Sequence, residues 1–383
     1  MGYSSKEFCQ NEGIGGFIDG NYAHFATQPT YTNWTRQSNN LGPKALNIVK
    51  QIVLPQYSYN DSLIVGKDGI MYLSSKEGYL LAISSEGNKI WEYKARNPLC
   101  DPIIAENDII YVATQGDWGS QGHILLAVSN SGKLLWECKI DYSALFSPVL
   151  DKEGNILLTT RSATLFSIKR DGTINWKGKG ASEYWSTAIL TKSNKICIGC
   201  GDRNLYILDT FGKENYKFFV GHGRAQYAPV VDNNEVLYLN AYHNGKGKLI
   251  SLDLESKAIK EYAPDKGDVW TSPALGKNSV LYIGLSLFRL AAIKTDFTQL
   301  WEITLKGFPV CPPIISSDGI IYYATFNSIN DVDKSWITAV DNDGKLLWEY
   351  EMPGCCSYPT LIKDRILCIR SNNTLYYLGD TTM

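Results

Sequence analysis

The stretch SWITAVDNDGKLLWEY, Ser335 to Tyr350, reads as an apolar strand, a tight turn carrying Gly344, and a second strand ending in an aromatic at Trp348. Versions of the same unit occur upstream as GYLLAISSEGNKIWEY, GHILLAVSNSGKLLWEC, ATLFSIKRDGTINWKG, RNLYILDTFGKENYKF, GKLISLDLESKAIKEY and FRLAAIKTDFTQLWEI. The aromatic slot holds Trp91, Trp136, Trp176, Tyr216, Trp301 and Trp348, and Lys260 takes it in the fifth unit. Successive slots are 45, 40, 40, 44, 41 and 47 residues apart. That spacing is the period of a four-stranded propeller blade.

Two further strands precede each unit, as in CDPIIAENDIIYVAT and CPPIISSDGIIYYAT. Most open with a proline: Pro102, Pro148, Pro229, Pro273, Pro313 and Pro359. Proline is tolerated at the first residue or the edge of a strand, so it marks where each inner strand begins. From Gly354 to the end only three strands remain, and ALNIVKQIVL, Ala45 to Leu54, supplies the missing outer one. Closing the ring in this way removes exposed sheet edges. The predicted fold is therefore all-β: an eight-bladed β-propeller of four-stranded antiparallel blades, closed by an N-terminal strand that completes the last blade. Residues 42–383 form the propeller domain, about 43 residues per blade, and residues 1–41 form an irregular extension.

Bulk chemistry narrows the function. With 37 Lys+Arg against 39 Asp+Glu the net charge is -2, which offers nucleic acid or anionic lipid no broad attraction. No apolar run approaches the roughly 20 residues of a membrane helix, so no membrane span is expected. MGYSSKEFCQNEGIGGF at the start lacks a basic segment followed by an apolar one, and the nine cysteines are odd in number and scattered. Both features predict a cytoplasmic protein with reduced thiols, unless a signal peptide has been removed.

In a propeller the loop leading into each blade shares one face with the loop joining its second and third strands, around the mouth of the central channel. The leading loops KARNPLC, KIDYSALF, KGASEYW, VGHGRAQY, DKGDVW, KGFPVC and MPGCCSY bring candidate residues there. Arg96, Cys100, Phe146, Trp185, Tyr227, Asp268, Trp270, Cys311, Cys355 and Cys356 are the candidate ligand-binding set. Aromatic walls with a few charges suit a ligand pocket, and the same residues also suit solvated loops over a capped core. For catalysis the candidates are His222 and Arg224, with Asp141 or Glu183 to tune the imidazole and Tyr227 beside them. Three longer middle loops, TQGDWGSQGH, NAYHNGKGK and TFNSINDVDKS, add Trp118, Tyr242 and Phe326 as aromatic tips. The four histidines lie on separate segments without metal-ligand spacing, so no metal site is expected. In CIGCG, Cys197 and Cys200 are three apart on a strand and point to opposite faces, which makes them structural unless Gly199 forms a bulge.

GKLLWEY after ITAVDND, GYLLAI before GNKIWEY, and the lead-in NWTRQSNNLGPKAL together resemble the tryptophan-docking repeat of the quinoprotein (PQQ-like) propeller family. The resemblance covers nearly the whole chain beyond residue 33. It implies either a quinone-dependent dehydrogenase or a cofactor-free binding propeller, such as the lipoprotein subunit of the outer-membrane barrel-assembly machinery. In the dehydrogenases calcium, acidic and amide ligands and a catalytic Asp hold the quinone, and in some a vicinal disulfide lies beside it. Cys355 and Cys356 match only that last feature; free thiols and no cofactor are expected, with PQQ as the alternative. The resulting expectation is a binding module that recognises a protein or small-molecule ligand at the channel mouth. An enzyme with an acid–base or quinone-dependent site in the same funnel is the alternative.

Overall fold

The computed structural model describes Ser38 and residues 40–380, apart from 58, 60–62, 67, 106, 117–121, 145, 183–185, 222–228, 244, 310, 330–331 and 363–364. Among the described residues every regular element is a strand, and no helix is long and apolar enough to cross a membrane. The first blade runs outward as Ile64–Val65, Met71–Ser74, Tyr79–Ile83 and Lys89–Lys94, each strand antiparallel to the last. The same order recurs outward from inner strands Ile103–Ile104, Val149–Leu150, Ile189–Leu190, Val230–Val231, Ala274–Leu275 and Ile314–Ile315. Blade 7 carries a fifth short strand, Phe308–Pro309, ahead of its inner one. Blade 8 begins at Thr360–Ile362 and takes Asn47–Val53 as its outer strand, so the ring of eight closes as predicted. Each of the six marker prolines immediately precedes the first residue of an inner strand.

Short inner strands and the alternation of the sheet send apolar side chains to both faces of every blade, so the core lies between blades. Ile64, Tyr72 and Ala82 of blade 1 pack with Ile103, Tyr111 and Leu126 of blade 2. Cys197 joins the cluster shared with blade 5, whereas Cys200 joins the one that also holds Leu157 and Leu165 of blade 3. The two thiols of CIGCG therefore diverge, as their spacing requires.

The repeated tryptophan joins each blade to the next. The indole N–H of Trp91, Trp136, Trp176 and Trp301 donates to the turn carbonyl of Asn130, Arg170, Thr210 and Asn342 in the following blade, at 2.7, 2.9, 2.9 and 2.8 Å. Beneath each ring lies the turn glycine of that next blade, Gly132, Gly172, Gly212 and Gly344. Tyr216 makes the equivalent bond from its hydroxyl to Leu254 O at 2.8 Å. At the fifth blade the sequence offers Lys260, and the structure shows what replaces the missing ring. Tyr262, two residues on and thus on the same face, donates to Gln299 Oε1 at 2.8 Å and packs against Phe297. Phe297 itself holds the turn position that is glycine in blades 1–4 and 7, at φ 74°.

Gly212 is the tightest of these seats: its φ is 75°, and a Cβ there would lie 2.3 Å from the Trp176 ring. Gly212→Ala combines a left-handed backbone penalty of about 1–2 kcal/mol with displacement of the indole. We expect thermal unfolding to show a loss of about 2–3 kcal/mol; an unchanged midpoint would mean that the ring is not held against this turn.

The chain before the closing strand crosses blades 7 and 8. Ser38 N donates to Ile315 O at 2.7 Å, Asn40 Nδ2 to Leu361 O at 3.0 Å, and Gly42 N to Asp318 Oδ1 at 3.2 Å. Arg365 completes this strap by donating to Gly42 O and pairing with Asp318, each at 3.0 Å. Ser38 and Asn40, which the sequence reading places in the irregular extension, thus already bond to the propeller; residues 1–37 lie outside the described residues.

Candidate functional site

Backbone pairing fixes which loops share a face. Tyr59↔Ser75, Leu99↔Thr114, Ala144↔Thr160, Val269↔Leu285 and Cys356↔Ser371 each join a leading loop to the end of the second strand of the blade it enters. Leading and middle loops therefore lie together at one rim, and their backbone is held in place by the sheet.

Among the described residues, the third residue before the inner strand has a shared role in three blades. Ser186 Oγ accepts from Gly199 N at 2.9 Å, Thr271 Oγ1 from Gly284 N at 3.1 Å, and Ser357 Oγ from Arg370 N at 2.9 Å. Cys100, Phe146 and Cys311 occupy the same slot, and all six side chains are buried. Cys100 packs with Leu99 and Ile103, and Cys311 with Tyr322 and Ala324. Small side chains recur here because the slot faces the blade interior. The structure thus places Cys100, Phe146 and Cys311 beneath the rim rather than on it.

Cys355 and Cys356 are half-buried, and no disulfide forms among the described cysteines. Cys356 N donates to Ser335 Oγ at 3.1 Å, its side chain packs on the blade-8 core, and burial pushes its thiol up to about 12. Burial likewise raises the thiols of Cys100, Cys197 and Cys368, and that of Cys200 to about 11. Because the thiolate is the reactive form, native protein treated with iodoacetamide at pH 8 should remain unlabelled at Cys100, Cys197, Cys311 and Cys368. Peptide mass mapping after unfolding in guanidinium should then find them; modification of these four before unfolding would contradict the burial.

Of the remaining candidates, Arg96 is exposed, and Asp141 pairs with Lys177 Nζ at 3.4 Å on the surface. Asp268 Oδ1 accepts from Gly247 N and its own N–H donates to Ser286 Oγ, both at 2.8 Å, which pins its loop between blades 5 and 6. Trp270, bonded through its backbone N–H to Gly284 O, leaves 40% of its surface in solvent. Glu183, Trp185, His222, Arg224 and Tyr227 lie outside the described residues, as does Trp118. The proposed acid–base pairing of His222 therefore has no geometry here, and its partner Asp141 already has a counter-ion.

Two of the long middle loops are hairpins. Val236–His243 pairs with Lys246–Asp253 out to His243↔Lys246, and Ile321–Ile329 pairs with Val332–Val340 out to Ile329↔Val332. Asn244-Gly245 is a strong two-residue hairpin signal that legibly announces the first of them. Phe326 of the second stands opposite Phe308. Sequence reasoning passed over Leu287 and Phe288, which form the middle turn of blade 6 with φ of 62° and 59°. Among the described residues no group of three or more His, Cys, Asp and Glu is placed to hold a metal ion.

A sequence model of the family described as "Outer membrane protein assembly factor BamB" matches residues 34–259. "Uncharacterized protein YxaL" of Bacillus subtilis (strain 168) is 31% identical over 85 residues, 22% of this chain and 21% of its own length. The chain thus spans about a fifth of that curated relative. Among known structures, that of BamB from Moraxella catarrhalis superposes with a TM-score of 0.68 at 17% identity, over 88% of this chain and 98% of that one. A europium-containing methanol dehydrogenase superposes with a TM-score of 0.59 at 13% identity, over 70% and 73%. At these identities both likenesses are of fold.

Proposed function

Because the chain belongs to the PQQ-like propeller family described as outer membrane protein assembly factor BamB, we propose that it is a binding scaffold that recognises a protein partner on its loop-bearing rim. The reading is carried by one observation: large side chains stand half in solvent on loops that the sheet holds rigid. Tyr142 is 44% exposed, Tyr242 46% and Trp270 40%. Amphipathic aromatics on a fixed backbone gain contact area at little cost in conformational entropy, which is why they concentrate at protein interfaces. The reading needs no quinone.

Photo-cross-linking tests it. Benzoylphenylalanine is placed in the cell at Tyr142 or Tyr242 on the rim, and at Phe211 as the control. Phe211 lies in an outer turn on the opposite face and is 77% exposed, so exposure alone would make it the better trap. Adducts of one defined mass from the rim positions, absent from Phe211, are expected. Equal capture from both faces, or none from the rim, would sink the reading.

A further inference from the structure

Among the described rim residues, exposed apolar side chains gather across blades 5 and 6. Gly247 N and O are both bonded to the 268–269 segment, at 2.8 and 3.0 Å, which sets Tyr242, paired across from Gly247, beside the loop that carries Trp270. On the other side of that loop Ser286 N donates to Asp268 O at 2.9 Å, and Leu287 Cδ1 lies 3.5 Å from where a Cβ on Gly267 would stand. Phe288 continues the band to Phe308 of blade 7, with ring centroids 4.3 Å apart.

Leu287 and Phe288 both adopt the left-handed backbone region, which bulky side chains rarely enter and which Asn or Gly fill without strain. Leu287 gains little burial in return, being 56% exposed. A strained turn that holds an aliphatic side chain in water is explained by what it contacts, not by the stability of the blade.

Charge identifies the contact further. Around the band Lys248, Arg289 and Lys306 are already paired with Glu261, Glu302 and Glu349. Lys246 and Lys266 are exposed and have no ion pair among the described residues, and Asp265, next to Lys266 in sequence, is exposed as well. Building on the rim-binding reading, we propose that Tyr242, Trp270 and Leu287 form the docking surface for an extended protein segment that carries aromatic or aliphatic residues interspersed with carboxylates. Its apolar side chains cover the band, and its carboxylates reach Lys246 and Lys266.

The test uses the full chain and a short dye-labelled synthetic peptide in which Phe and Leu alternate with Asp and Glu. The control peptide has Lys at every acidic position, and phosphatidylglycerol vesicles form a third arm. Saturable anisotropy with the acidic peptide is expected, weakened about tenfold or more by Trp270→Ala and by Leu287→Asn, and weakened by added salt. Lys246→Glu with Lys266→Glu should weaken it as well. Leu287→Asn should also leave the unfolding temperature unchanged or raise it, since Asn tolerates the left-handed region. The proposal is overturned by absent binding, by equal affinity for the lysine peptide, by vesicle binding without peptide binding, or by a fall in unfolding temperature for Leu287→Asn. Persistent photo-adducts from Tyr142 alongside any of these results would leave the rim-binding reading standing and remove only this sector.

Discussion

Deleting residues 1–54 should abolish the folded monomer. The deletion removes Asn47–Val53, whose register with Thr374–Gly379 supplies the only outer strand of blade 8. Ile52 is lost from the cluster between blades 8 and 1, where it packs against Gly87 as tryptophans pack against the turn glycines elsewhere. Pro43 is lost too, and with it the acceptor of Trp348 Nε1 and of Tyr322 Oη. An open ring exposes a strand edge and an apolar blade face, and native stability is only about 5–15 kcal/mol. Size-exclusion chromatography and far-UV circular dichroism should show aggregate or unfolded chain, and a peptide of residues 38–54 added during refolding should restore the monomer. A truncated chain that still unfolds cooperatively near the wild-type temperature would show that closure is dispensable.

Trp348→Ala should cost about 3–5 kcal/mol, the range for emptying a buried aromatic site. Trp348 is buried, whereas Trp91, Trp136, Trp176 and Trp301 keep part of their surface in solvent. Its ring packs 5.8 Å from that of Tyr322, and both donate to Pro43 O, at 3.2 and 2.9 Å. Trp348→Phe keeps most of the packing and loses the indole bond, so a cost near 1 kcal/mol is expected. Trp270→Ala, on the exposed rim, should fall within about 0.5 kcal/mol of wild type. Denaturant melts of the three variants check the order; equal losses at Trp348 and Trp270 would contradict the docking geometry.

Much of the fold is legible because its signals are local and repeated. The spacing of Trp91, Trp136 and Trp176 states the blade, the prolines before Ile103 and Val149 state where inner strands begin, and Ala45–Leu54 states the closure. Lys260 is the exception that local pattern cannot interpret. The loss of its ring is compensated by Tyr262 and Phe297, which lie in adjacent blades and meet only when the two blades pack.

The rim was less legible. Cys100, Phe146 and Cys311 fall in loops, where exposure is the ordinary expectation. Their burial follows from the backbone pairing that fixes leading loops against second strands and turns these residues, the third before their inner strands, into the blade. Conversely, SLFRLAAI reads as one apolar strand that begins by Phe288, because apolar residues seldom make turns. The structure begins the strand at Arg289 and gives Leu287 and Phe288 to the turn.

By itself the sequence determined the class, the blade count, the closing strand and the repeated tryptophans that dock one blade on the next. Periodicity, turn chemistry and proline placement are properties of short segments and survive in one dimension. Which loop side chains enter the core, which stand in water, and which of them meet across blades 5 and 6 was decided only in the tertiary structure. Side-chain direction there depends on pairing between segments that the ring brings together, as at Val269↔Leu285 and Gly247, and no single segment encodes it.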